Sequence, residues 1–166
     1  MYEKVLPDIY KIEVPLPRSP LKALNSYLIK GDDRYLLIDT GLNRDECKKA
    51  LFSGLEQLHV DLTKIDLFIT HLHSDHLGLA GDVADETSIV YFGRRDREML
   101  KNVGRWKEFM SFFRENGFPE DELNKAFEGH QGYRYSLKKD IDFTVVNEGD
   151  RIETGNYRFI CIETPG

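Results

Sequence analysis

Two short runs in this chain are apolar at almost every position, Tyr35-Leu36-Leu37-Ile38 and Leu67-Phe68-Ile69-Thr70. Each is of strand length, and the first, apolar throughout, reads as a strand covered on both faces. Between them, Asn43 stands where a helix N-cap belongs, with Glu46 three residues on at capping-box spacing. Cys47, Ala50, Leu51, Leu55 and Leu58 then recur at helical intervals, which predicts a helix from Asn43 to about Gln57 with one apolar stripe. Strand, helix and strand in succession place a helix on a sheet face and predict an α/β layered domain with a mixed sheet.

The flanking sequence extends this plan. Asp8–Val14 alternates imperfectly, and Ser26–Lys30 faces Tyr35–Asp39 across the turn-rich Gly31-Asp32-Asp33-Arg34, which reads as a hairpin. Ser88–Phe92, Phe143–Val146 and Tyr157–Ile162 are further strand candidates. The stretch from Arg94 to Asp140 breaks the pattern and reads as helical. Trp106, Phe109, Met110 and Phe113 fall on one helical face, and Gly117 with Pro119 marks a stop and restart. Those aromatics, with Phe112, are expected to be core packing of a helix pair, the other reading being an aromatic roof over a site. The chain is expected to be one domain over residues 1–166 with a helical insertion at about 94–140.

Charge and composition exclude several function classes. Lys plus Arg total 23 against 29 for Asp plus Glu, a net charge of −6, which argues against a nucleic-acid-wrapping role. No stretch approaches the roughly 20 apolar residues that span a bilayer, and the first residues lack a signal-peptide pattern. Cys47 and Cys161 are too few for a disulfide framework and are not spaced for zinc. A cytoplasmic protein acting on a small molecule, with neither nucleic acid nor membrane as partner, is the expectation.

Chemistry concentrates in Thr70-His71-Leu72-His73-Ser74-Asp75-His76-Leu77-Gly78, directly after an apolar strand. Side chains two apart on an extended segment point the same way, so His71 and His73 can present two imidazoles to one ion while Leu72 turns inward. Asp75 and His76 follow at the turn and can address the same ion or a second beside it. Packing explains such a cluster poorly: protonated rings would repel, and buried neutral ones would each need a partner. Imidazole and carboxylate donors suit zinc, and also iron or manganese.

This motif resembles the signature of the metallo-β-lactamase-fold hydrolase superfamily. Asn25-Ser26-Tyr27-Leu28-Ile29, Leu37-Ile38-Asp39-Thr40-Gly41 and Ile162-Glu163-Thr164-Pro165-Gly166 are similar to further segments of that family. The resemblance implies an αββα sandwich, of which this chain would be the N-terminal part. It implies that His71 and His73 hold a first metal and that Asp75 and His76 hold a second, two zinc ions in the complete domain. Asp39 would support the site loops, or be a plain turn aspartate. The family completes its first metal site with a histidine directly after a Thr-Pro-Gly like Thr164-Pro165-Gly166, followed later by a bridging aspartate and another histidine. His59 and His130 belong to no ligand-spaced cluster and read as surface residues. The chain is therefore expected to be incomplete at its C-terminus and inactive or weak alone. Its uncovered sheet face would be hidden by self-association or by the 94–140 helices.

The function implied is metal-dependent hydrolysis of an ester or thioester, of glyoxalase-II type. Hydroxide generated at the metals would be the attacking group, and Asp75 would orient it and pass a proton. Iron-dependent persulfide dioxygenases share the histidine pattern and are the alternative, together with a non-catalytic piece holding a partial metal site. Flavo-diiron proteins carry a glutamate where His73 stands, which counts against them.

Overall fold

Seven strands hydrogen-bond side by side in chain order: β1 (Tyr2–Leu6), β2 (Ile9–Pro15), β3 (Ala23–Lys30), β4 (Tyr35–Ile38), β5 (Ile65–Ile69), β6 (Val90–Gly93) and β7 (Thr144–Val146). The computed structural model describes residues 1–102 and 106–164, without the side chains of 102–109, 131 and 133. β1 to β4 run antiparallel as hairpins, whereas β4 to β7 are parallel. Parallel neighbours need crossovers, and helices supply them. α1 (Asp45–Gln57) joins β4 to β5, and the short α2 (Ser74–Leu77) and α3 (Ala80–Val83) join β5 to β6. Four more helices lie between β6 and β7: α4 (Arg94–Asn102), α5 (Trp106–Glu115), α6 (Glu120–Gly129) and α7 (Gln131–Arg134). The expected mixed sheet with a helical insertion is thus observed. No helix among the described residues is long and apolar enough to cross a membrane.

The run at β4 is covered on both faces, with adjacent Leu36 and Leu37 both buried. Leu28, Leu37 and Leu67 pack into a large core under α1, where Cys47, Leu51 and Leu55 are buried. Their neighbours Ile29, Leu36 and Phe68 point the other way, against Ile152 and Phe159 of a separate hairpin, β8 (Arg151–Thr154) and β9 (Tyr157–Ile160). The Tyr157 hydroxyl donates to the Pro7 carbonyl and ties that hairpin to the β1–β2 turn.

Several sequence expectations need correction. Asn43 is not the N-cap of α1; Arg44 occupies that position in extended conformation, without a side-chain cap. The Asn43 amide is used elsewhere, donating to the Gly78 carbonyl at 3.2 Å, so a tertiary contact displaces the local one. Acidic Asp45 and Glu46 still favour the helix start through its dipole. The insertion does not hide the second sheet face: Leu100, Tyr135 and Leu137 pack against the core on the α1 side. Among the described residues the far face packs against the β8–β9 hairpin, on which Ile160 is 57% exposed, with Ile162 beyond it 73% exposed. Strands β1 and β8 were not expected. All five residues of β1 are exposed, so burial imposes no alternation there.

α1 lies so close to β2 that a Cβ at Gly54 would come within 2.7 Å of Ile12 Cγ2. Replacing Gly54 by Val should therefore overpack the interface and lower unfolding free energy by about 1–3 kcal/mol. Urea denaturation checks this; a variant as stable as the parent would show that helix and strand are free to separate.

Candidate metal centre

β5 ends at the fully buried Ile69, and the chain then turns through Thr70–His73 into α2, for which His73 is the cap residue. This turn gathers the three imidazoles. The ring centroids of His71 and His76 are 4.0 Å apart, and those of His71 and His73 are 4.6 Å apart. Asp75 Oδ2 is 3.7 Å from His76 Nε2. All four residues singled out from the sequence thus meet at the β5 end.

They are held there from β4. Asp39 follows that strand with φ of 59°, in the left-handed region that aspartate tolerates better than most residues, and is 5% exposed. Its carboxylate accepts hydrogen bonds from the Thr70 backbone N–H at 2.8 Å, from Thr70 Oγ1 at 2.8 Å and from His76 Nδ1 at 2.7 Å. The next residue, Thr40, donates from both its backbone N–H and its hydroxyl to the His76 carbonyl, each at 2.8 Å. Asp39 is therefore the organiser of the loop rather than a turn aspartate.

This network assigns the imidazole tautomers. A carboxylate only accepts, so His76 carries hydrogen on Nδ1. The Thr70 hydroxyl gives its hydrogen to Asp39 and accepts from His71 Nδ1 at 3.0 Å. Both rings then keep an unprotonated Nε2 as donor for a metal, the arrangement found where outer carboxylates orient ligating histidines. Burial, reinforced by the neighbouring His76 and His73, pushes the His71 pKa below the ordinary imidazole value. Burial also works against charge on His76, but hydrogen bonding and charge from Asp39 outweigh it and raise that pKa.

In donor type the cluster fits a borderline divalent cation. It is not a finished ligand set. Among the described residues no three His, Cys, Asp or Glu side chains are disposed around a common metal position, because the rings pack on one another instead.

Residues outside the motif complete the surroundings. Asp96 of α4 accepts from the Leu72 backbone N–H at 2.8 Å, and Ser74 Oγ donates to the Gly132 carbonyl of α7 at 2.7 Å. A Cβ at Gly78 would come within 2.7 Å of both Asn43 N and Gly41 O, so only glycine lets the loops after β4 and β5 close together. A cavity of about 780 Å³ opens beside the cluster, with His73, Asp75, Leu72, Arg97, Leu100 and Leu137 in its walls. His130, expected as a plain surface residue, is exposed but also borders this cavity. The described lining comes from the loops after β2, β4 and β5, from α4 and from the 130–143 segment, and includes neither Phe112 nor Phe113, so these two do not form an aromatic roof. Phe112 is exposed, Phe113 packs edge-on against Phe118, and the side chains of Trp106 and Phe109 lie outside the described residues. His59 is at the far end of α1, exposed, with φ of 54°.

Comparison with known proteins identifies the family. The family model of the metallo-beta-lactamase superfamily matches residues 21–157. A probable metallo-hydrolase of Bacillus subtilis, YqjP, is 29% identical over 164 residues, covering 96% of this chain and 50% of that protein. The crystal structure of the metallo-beta-lactamase family protein TTHA1429 from Thermus thermophilus superposes with a TM-score of 0.78 at 25% identity, covering 98% of this chain and 54% of the other. BJP-1, a subclass B3 metallo-beta-lactamase of Bradyrhizobium japonicum, shares the fold at a TM-score of 0.67 and 19% identity, over 99% of this chain and 52% of its own. The chain spans about half the length of these relatives. A family match that runs from β3 to β9, through the histidine-bearing loop clamped by Asp39, shows that the chain belongs to the metallo-beta-lactamase superfamily.

Proposed function

We propose that His71, His73, Asp75 and His76 hold divalent metal, zinc first among the candidates, and that the protein hydrolyses an ester or thioester of a small molecule. The superfamily and the metallo-hydrolase relative support a hydrolase-type enzyme. The observation that carries the metal assignment is the Asp39–His76 hydrogen bond with its Thr70–His71 counterpart, which fixes both Nδ1 hydrogens and leaves both Nε2 atoms as donors. Bound metal would supply Lewis acidity and lower the pKa of a water toward neutrality. The protein's own residues do the rest. Asp75 borders the cavity beside His76, where its carboxylate can accept a proton and hand it to a leaving group. Leu72 and Leu137 exclude water from the same space. The net charge of −6 favours a small-molecule substrate over nucleic acid. Free cysteines, with Cys47 buried and donating to the Pro15 carbonyl, suit a reducing compartment such as the cytoplasm.

Chelator-treated protein should take up zinc on titration and retain it through dialysis, as read by elemental analysis. The double variant His71→Ala, His73→Ala should lose it. Affinity should fall as pH drops below about 6.5, since a ligating imidazole must be neutral. Any turnover of p-nitrophenyl acetate or of an S-acyl thioester, expected to be weak for this chain, should then require the metal. Zinc uptake unaffected by the double variant would contradict the assignment.

The Asp39 clamp makes a separate prediction. Asp39→Asn keeps the size and the left-handed tolerance but removes the charge, and should weaken zinc binding about 10–100-fold. In metal-free protein the raised His76 pKa means that the charged pair stabilises the fold fully below the unfolded imidazole pKa of about 6.5. That contribution is lost as pH rises through the raised value. The stability deficit of Asp39→Asn should therefore be larger at pH 6 than at pH 8, measured by urea denaturation. An equal deficit at both would show that Asp39 and His76 do not interact through charge.

A further inference from the structure

We infer that the cavity beside His73 and Asp75 takes the aliphatic acyl group of a neutral ester or thioester. This rests on the hydrolase reading above and names the substrate class for the same site. The walls are dominated by branched aliphatic side chains brought from separate parts of the chain: Leu16 after β2, Leu42 after β4, Leu72 after β5, Leu100 from α4, and Leu137 before β7. At about 780 Å³ the space lies within the range that encloses a whole small ligand.

Its charges argue against an anionic occupant. Arg97 is the one Lys or Arg among the described lining residues, and two carboxylates, Asp75 and Asp140, share the cavity with it. The Arg97 guanidinium is stacked 5.1 Å from the Phe143 ring centre and so forms part of the wall. In the metal-free protein a polyanionic ligand would call for converging cationic side chains, which these residues do not supply.

The walls are also pinned in place. The Ser74 hydroxyl holds the Gly132 carbonyl, the Asn43 backbone N–H donates to the Tyr135 carbonyl at 3.1 Å, and Gly81 admits Lys139 so closely that a Cβ there would come within 2.8 Å of it. A preformed apolar cavity of this kind binds its ligand before any chemistry, so binding can be measured without metal or turnover.

Methyl ketones from 2-pentanone to 2-undecanone serve as non-hydrolysable ester mimics. They would be titrated into chelator-treated full chain and followed by leucine methyl NMR. Affinity should rise about fourfold per added methylene before reaching a plateau, with shifts concentrated at Leu72, Leu100 and Leu137. Leu137→Asp should flatten the series. Leu100→Phe, which keeps an apolar wall and guards against loss of folding in the first variant, should move the plateau to shorter chains. Affinity independent of chain length, a series unchanged by Leu100→Phe, or tighter binding of decanoate than of the ketone of equal carbon number would each overturn the proposal. A flat series in protein that still takes up zinc through its histidines would refute the acyl assignment alone. A normal series in protein that binds no zinc would instead refute the metallo-hydrolase reading.

Discussion

A buried carboxylate that accepts three hydrogen bonds from the neighbouring strand's loop is the constraint on which this site depends. Asp39 leaves β4 in a left-handed conformation and receives the Thr70 backbone, the Thr70 hydroxyl and the His76 ring. Without those partners a carboxylate only 5% exposed would be costly to bury. With them, the loop after β5 is tied to the end of β4, and His71 and His76 each keep Nε2 free of hydrogen. Parallel pairing of β4 with β5 makes this possible, because it delivers both strand ends to one edge of the sheet.

The histidine cluster was legible because three imidazoles and a carboxylate within six positions have few explanations other than a shared ligand. The two-faced burial of β4 was legible from its lack of alternation. Asp39 was not decidable in the same way, since its role requires knowing that β4 and β5 are neighbours. Asp96 was invisible for a related reason: α4 begins directly after β6, and only the sheet order brings its first turn to Leu72. Asn43 misled because a good N-cap residue at capping-box spacing was recruited by Gly78 across the loop. The helical insertion was legible as helices, but the side of the sheet it covers was not, because amphipathic faces do not say which surface they will meet.

The same sheet serves two purposes with its two faces. One buries the large core beneath α1 and carries the site at its upper edge, whereas the other is partly covered by the β8–β9 hairpin. The chain belongs to the metallo-beta-lactamase superfamily, and TTHA1429, about twice as long, shares this architecture over 98% of the chain. Against the cluster, α4 and the 130–143 segment help to build an aliphatic cavity.

The most direct test of the account is anomalous diffraction at the zinc edge from zinc-soaked crystals. The clamp predicts zinc bound by Nε2 of His71 at one position and by Nε2 of His76 at a second, with Nδ1 of His76 still bonded to Asp39. A peak lying elsewhere, or one reached by His76 through Nδ1 with the Asp39 contact broken, would contradict it.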